Sequence, residues 1–198
     1  INVDGKQLST VQREVNAAYI QNCRKITLHG REIKSKVKEL QSIIQNLIAL
    51  EIMEQTSDTI VAKDFLNMEK VSIDELIRKM DMVTRTMLKE TCKIFIEDNY
   101  ESINERDKDV NRLYFLLYRT VLFNLEYPVK ALKNLQLSTI QLLKKHSAGL
   151  FLEGVADEAR RTARFARKIK ENPIHKKLIE SILKDINKYY EDTLKVFY

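Results

Sequence analysis

Two pairs of polar side chains at i,i+4 spacing carry the clearest chemistry in this sequence. Residues four apart share a helix face, so Glu153 and Asp157, within Leu152-Glu153-Gly154-Val155-Ala156-Asp157, present two carboxylates side by side. Asp107 and Asn111 repeat the spacing within Asp107-Lys108-Asp109-Val110-Asn111-Arg112. Oxygen donors paired in this way suit a hard divalent or iron cation, with His146 as an additional ligand. The alternative is a solvated face on which Asp157 pairs with Arg161 one turn on. Stepping about 100° per residue puts Glu153 and Asp157 opposite Phe151, Val155 and Thr162, pointing away from the core. His146, Arg160 and Arg164 fall on the same outward face.

The run Arg160-Arg161-Thr162-Ala163-Arg164-Phe165-Ala166-Arg167-Lys168 is the most basic segment, and Arg160 and Arg164 are its candidate contacts to an anion or a partner. Leu113-Tyr114-Phe115-Leu116-Leu117-Tyr118 and Val121-Leu122-Phe123 are apolar nearly all round. Phe115, Leu116 and Phe123 lie off the expected core side, which marks them either as a contact with other helices or as an exposed interface. The three histidines stand on separate elements, and no GxSxG, P-loop, GxGxxG, HExxH or ExxH is present, so no catalytic residue is assigned and the chain is expected not to be an enzyme. Cys23 and Cys92 form no CxxC and are expected to be ordinary semi-buried thiols rather than zinc ligands.

These residues have to be positioned by elements that the periodicity outlines. Leu8, Val11, Val15 and Tyr19 share one side of a short helix, and residues 24–29 alternate as a strand. Ile33, Val37, Leu40, Ile44 and Leu47 form the stripe of a helix over 31–53, and residues 59–65 read as a second, β-branched strand. Two strands alone are marginal, which calls for a missing segment or a second copy beside them. From Val71 onward the pattern is helical throughout. A first helix opens on Ser72-Ile73-Asp74-Glu75, a capping box, and buries Ile73, Leu76, Ile77, Met80, Val83, Met87, Ile94 and Phe95 before a break near Asp98-Asn99. A second, 101–126, buries Ile103, Val110, Leu113, Leu117 and Val121 and stops at Tyr127-Pro128. A third, 138–170, is expected to bury Ile140, Ser147, Phe151, Val155, Thr162, Phe165 and Ile169. Asn172-Pro173 ends it, and residues 174–197 form a fourth.

The expected fold is therefore mainly α: a small α/β unit over 1–70, an antiparallel three-helix bundle over 71–170, and one further helix over 171–198. The composition, 44% apolar and 31% charged over 198 residues with only four Gly and two Pro, fits a globular chain with long helices. A net charge of +6 permits an acidic partner without requiring one, because 28 acidic residues are interspersed. No apolar run approaches the roughly 20 residues that cross a bilayer, and nothing resembles a signal peptide, so a cytoplasmic location without membrane insertion is expected. The start on Ile1 and the apolar end at Val196-Phe197-Tyr198 lead us to expect a segment of something longer.

Asp107-Lys108-Asp109-Val110-Asn111-Arg112-Leu113-Tyr114-Phe115-Leu116 resembles the D-x-x-V-[DN] segment of archaeal PhoU phosphate-uptake regulators, and Leu152-Glu153-Gly154-Val155-Ala156-Asp157 resembles their L-E-R-I-[AG]-D motif. Residues 71–170 would form one PhoU repeat and 171–198 would begin a second. Residues 1–70, with Leu50-Glu51-Ile52-Met53-Glu54-Gln55-Thr56-Ser57, resemble the linker unit of members that carry an amino-terminal AbrB/SpoVT-like DNA-binding domain, which this chain lacks. The resemblance implies a non-enzymatic regulator of phosphate transport and phosphate-response signalling. Its partners would be a phosphate transporter or sensor kinase component, and it would form a homodimer. Alternatively, the chain would be the sensor or dimerisation part of a transcriptional regulator, reaching DNA only through the absent domain. The resemblance also implies metal binding at Glu153 and Asp157, with Asp107 and Asn111 as weaker matches. Gly154 replaces the family's Arg, Glu158 its frequent His, and Asn111 an acid.

Overall fold

The computed structural model describes residues 1–169 and 173–197. Among them are seven α-helices and a three-stranded antiparallel sheet, so the chain is mainly helical. It divides into two compact units, one of Ile1–Asp74 with Phe115–His146 and one of Glu75–Tyr114 with Ser147–Tyr198. Each begins or ends inside a long helix, whereas the sequence pattern placed its boundaries at 70 and 170.

The first unit opens with α1 (Leu8–Ile20), which buries Val11, Val15 and Tyr19 as the spacing predicts. Strand β1 (Lys25–His29) follows, then α2 (Ile33–Gln45), which buries Ile33, Leu40, Ile43 and Ile44. The helix expected to reach residue 53 stops earlier. Ala49 adopts a left-handed φ of 63°, and Leu50–Gln55 becomes a strand, β2, that pairs with β3 (Thr59–Asp64). A third strand thus answers the need for sheet partners from within the chain itself. The order is β1-β3-β2, with Ile26 opposite Ala62 and Ile52 opposite Ala62 on the other side, and a bulge between Ile52 and Glu54. Alternate residues Ile26, Leu28, Ile60 and Ala62 face α1 and α2 and close one apolar core with Val3, Leu47 and Leu50.

The same unit holds the C-terminal half of α4 (Tyr100–Glu126), α5 (Pro128–Leu135) and the start of α6 (Thr139–Ala166). Pro128 ends α4 as expected and opens α5 at a position where its missing N–H costs nothing. Leu116, one of the three residues read as a candidate interface, is buried, Phe115 packs against the α/β core, and the Phe123 ring lies 5.3 Å from that of Tyr127. Leu116 and Phe115 therefore make their contact inside the unit, whereas Phe123 is half-buried beside the exposed Tyr127.

The second unit is helical: α3 (Ile73–Thr91), the first half of α4, most of α6, and α7 (Pro173–Phe197). Helix α3 ends at Thr91, short of the expected break, and Ile94 and Phe95 are still buried by the turns that follow. Ile103, Val110 and Leu113 of α4 are buried as predicted. Helix α6 differs from expectation: it buries Leu152, Ala156, Ala159, Ala163 and Ala166, while Phe151 is 73% and Phe165 52% exposed. The inner face of α6 is therefore made by Leu152 and its alanines, and its larger apolar side chains stand on the flank. In the first unit Ile140 is likewise exposed. The expected helix end at Lys170 and the Asn172 break lie outside the described residues.

Candidate functional site

The inward turn of Ala156 and Ala159 changes the position of every candidate ligand on α6. Glu153 and Asp157 sit at the edge of the buried face, opposite in sense to the outward placement expected, because that placement was measured from the wrong stripe. Within the second unit they meet Asp107 of α4, which is 7% exposed. Asn111 donates from Nδ2 to the Asp107 carbonyl at 2.9 Å and to its Oδ2 at 3.3 Å. The two segments that carry the paired-polar spacing therefore converge, and Asp107, Asn111, Glu153 and Asp157 form one polar cluster.

Arg160 fills the centre of this cluster. Its Nε lies 2.9 Å from Asp107 Oδ2 and its Nη2 pairs with Asp157 Oδ1. Arg161 takes the other Asp157 oxygen at 2.7 Å and Glu158 at 2.8 Å. Arg160 is thus engaged by two carboxylates and is not presented to an external anion, contrary to expectation. Arg164 is exposed, with its guanidinium 5.0 Å from the Phe165 ring centroid. His146 falls in the first unit, where its ring lies 4.6 Å from that of Tyr118 and burial pushes its pKa down.

The electrostatics of the cluster follow from burial. Burial pushes the Asp107 carboxyl above its ordinary range against the pull of Arg160. Burial also raises Glu153, and the charges of Asp157 and Asp107 push it the same way. Among the described residues, Glu153 has no ion pair, and Asp107 Oδ1 is buried with no hydrogen-bond partner. A carboxyl whose folded pKa exceeds its unfolded value binds more protons folded than unfolded. Stability then falls as pH rises from the ordinary glutamate value through the raised one. Glu153→Gln should remove that loss: the variant's urea midpoint should exceed the parent's at pH 7 and converge with it in acid. A variant less stable than the parent at pH 7 would contradict this electrostatic account.

As a cation site the cluster has suitable oxygen donors, but they do not fit a cation as they stand. The guanidinium of Arg160 occupies the position between Asp107 and Asp157 that a metal would take, and like charge excludes one. Among the described residues no group of three or more His, Cys, Asp and Glu is disposed to hold a metal. Cys92 is half-buried, its Sγ donating to the Leu183 carbonyl at 3.4 Å, whereas Cys23 is exposed rather than semi-buried.

A second polar centre, in the first unit, was not singled out from the sequence. Arg119 of α4 has a side chain only 1% exposed and pairs with Asp64 at the end of β3, Nη2 to Oδ2 at 2.5 Å and Nη1 to Oδ1 at 3.2 Å. Its Nε donates to Asn22 Oδ1 at 2.8 Å and its guanidinium lies 4.5 Å from the Tyr19 ring centroid. A charged residue inside the apolar run 113–123 was the available signal, since such a residue is buried only with partners. With every guanidinium nitrogen engaged, this centre ties α4 to the sheet and to the end of α1.

No helix among the described residues is long and apolar enough to cross a membrane. Comparison with protein-family models, with curated proteins and with solved structures finds no match to this chain.

Proposed function

We propose that this chain is a non-enzymatic regulator of the phosphate response, of the PhoU type, that acts by contact with a phosphate transporter or sensor kinase component. The observation that supports this reading is the meeting of its two motif segments. Asp107 and Asn111 come from one, Glu153 and Asp157 from the other, and the two lie more than forty residues apart in sequence. The cluster then acts as a helix-to-helix clasp, with Arg160 in the place of a cation, so regulation runs through the protein's surface and not through a bound metal.

The test is affinity capture of the tagged chain from phosphate-replete and phosphate-starved cells after cross-linking. Enrichment of a transport or signalling component in one condition is expected. Recovery of none in either condition would count decisively against this function.

A further inference from the structure

The Arg119–Asp64 pair plays no part in the proposed function, and stability alone is a weak reason to bury an ion pair, since an apolar pair of like volume often serves as well. Its surroundings give it another use. Within the first unit it forms the inner wall of a hollow of about 550 Å³, a size that suits a small organic ligand. The turn after α1 supplies Asn22 and Arg24 to the rim, the segment after β3 supplies Phe65 and Glu69, and α4 supplies Phe123. The charges of the inner wall cancel: Asp64 takes both Nη atoms of Arg119 and also accepts the Leu66 N–H at 3.1 Å. What is left unmatched at the rim is positive. Arg24 is exposed and makes no ion pair among the described residues. Glu69 has Lys130 Nζ at 3.8 Å, and Lys63 Nζ lies 5.7 Å from the Phe65 ring centroid. Asn22 adds a neutral donor, because committing its Oδ1 to Arg119 leaves Nδ2 for a ligand. The rest of the rim is aromatic: Phe65 is 57% exposed and Phe123 half-buried, so both keep apolar surface that a flat ring would cover.

We propose that this hollow binds a mononucleotide, with its base against Phe65 and Phe123 and its phosphate on Arg24. Ring and anion are recognised together. Aromatic faces accept any base by stacking, and a guanidinium takes a phosphate through paired, charge-assisted hydrogen bonds. A bare inorganic anion would leave both rings uncovered, and a neutral nucleoside would leave Arg24 unmatched. The ion pair behind them gives the ligand a fixed, polar wall at no net charge.

The inference needs only the purified chain, so its failure is separate from that of the proposed function. Titration calorimetry with AMP, GMP, CMP and UMP should show a single site, in the micromolar to millimolar range, for at least one of them. The nucleoside of that nucleotide and inorganic phosphate, each lacking one half of the ligand, should bind about tenfold or more weaker. Arg24→Glu and Phe65→Ser change exposed side chains, and with circular dichroism unchanged each should weaken nucleotide binding by about tenfold or more. Lys184→Glu, the same reversal of charge on an exposed position of the second unit, should leave it as it was. A chain that takes up none of the nucleotides at millimolar concentration, phosphate that binds as tightly as nucleotide, binding that survives both substitutions, or a loss that Lys184→Glu reproduces would each overturn the proposal.

Discussion

Arg119→Met should lower the stability of the chain by about 3–5 kcal/mol, the cost of leaving one member of a buried ion pair without its partner. Asp64, with a side chain 4% exposed, would be left in the interior without its partner, and Asn22 would lose the donor to its Oδ1. The stacking on Tyr19 would go with it. Adding Asp64→Leu to Arg119→Met should recover most of the loss, since an apolar pair of similar volume carries no charge to desolvate. Urea unfolding of the parent, the single variant and the double variant checks this by midpoint. A single variant within about 1 kcal/mol of the parent would mean that the pair is solvated in solution.

Gly30→Ala should cost about 2–4 kcal/mol, from a backbone conformation close to glycine-only together with a steric conflict. Gly30 has φ +148°, and a Cβ there would lie 2.5 Å from Asp4 Oδ1 and 3.0 Å from Val3 Cγ2. That Asp4 oxygen accepts from the Glu32 N–H at the start of α2, a bond that is the largest cause holding the Asp4 carboxyl below its ordinary range. Gly5 is the control. It too has a positive φ, +67°, but open space around it, so Gly5→Ala should cost only about 1 kcal/mol. Thermal unfolding of the two variants side by side should separate them by several degrees, Gly30→Ala the lower. Equal melting temperatures would show that Asp4 and Val3 yield freely.

The helices were legible where large apolar residues mark the inner face. Val11, Val15 and Tyr19 on α1, and Ile103, Val110 and Leu113 on α4, are buried where their spacing puts them. The same criterion failed on α6, because its inner face is made mostly of alanine, which side-chain size does not mark out. Alanine marks the seam there, and Phe151 and Phe165 mark the outside. That error carried into the candidate site, since the faces of Glu153 and Asp157 were counted from Phe151. The pairing of Asp157 with Arg161 was foreseen as the solvated alternative, and it forms at 2.7 Å. The entry of Asp107 and Arg160 into one cluster was not, because i,i+4 spacing describes one helix and says nothing of which helix lies opposite. Strand β2 was missed for a local reason: no Gly or Pro separates it from α2, and the chain turns instead at the left-handed Ala49, a residue that carries no break signal.

The alanine seam of α6 has a consequence for how the second unit tolerates change. Alanine surrenders no side-chain rotamers on burial, so docking this helix immobilises little besides backbone. Thr84 closes on it, its Oγ1 3.5 Å from the Leu152 carbonyl. Positions 156, 159 and 163 can therefore accept almost nothing larger, whereas the flank at 151 and 165 is sterically open to nearly any residue. Over generations of drift the inner letters should stay fixed by geometry, and variation at the outer ones should record whatever surface the helix has had to meet.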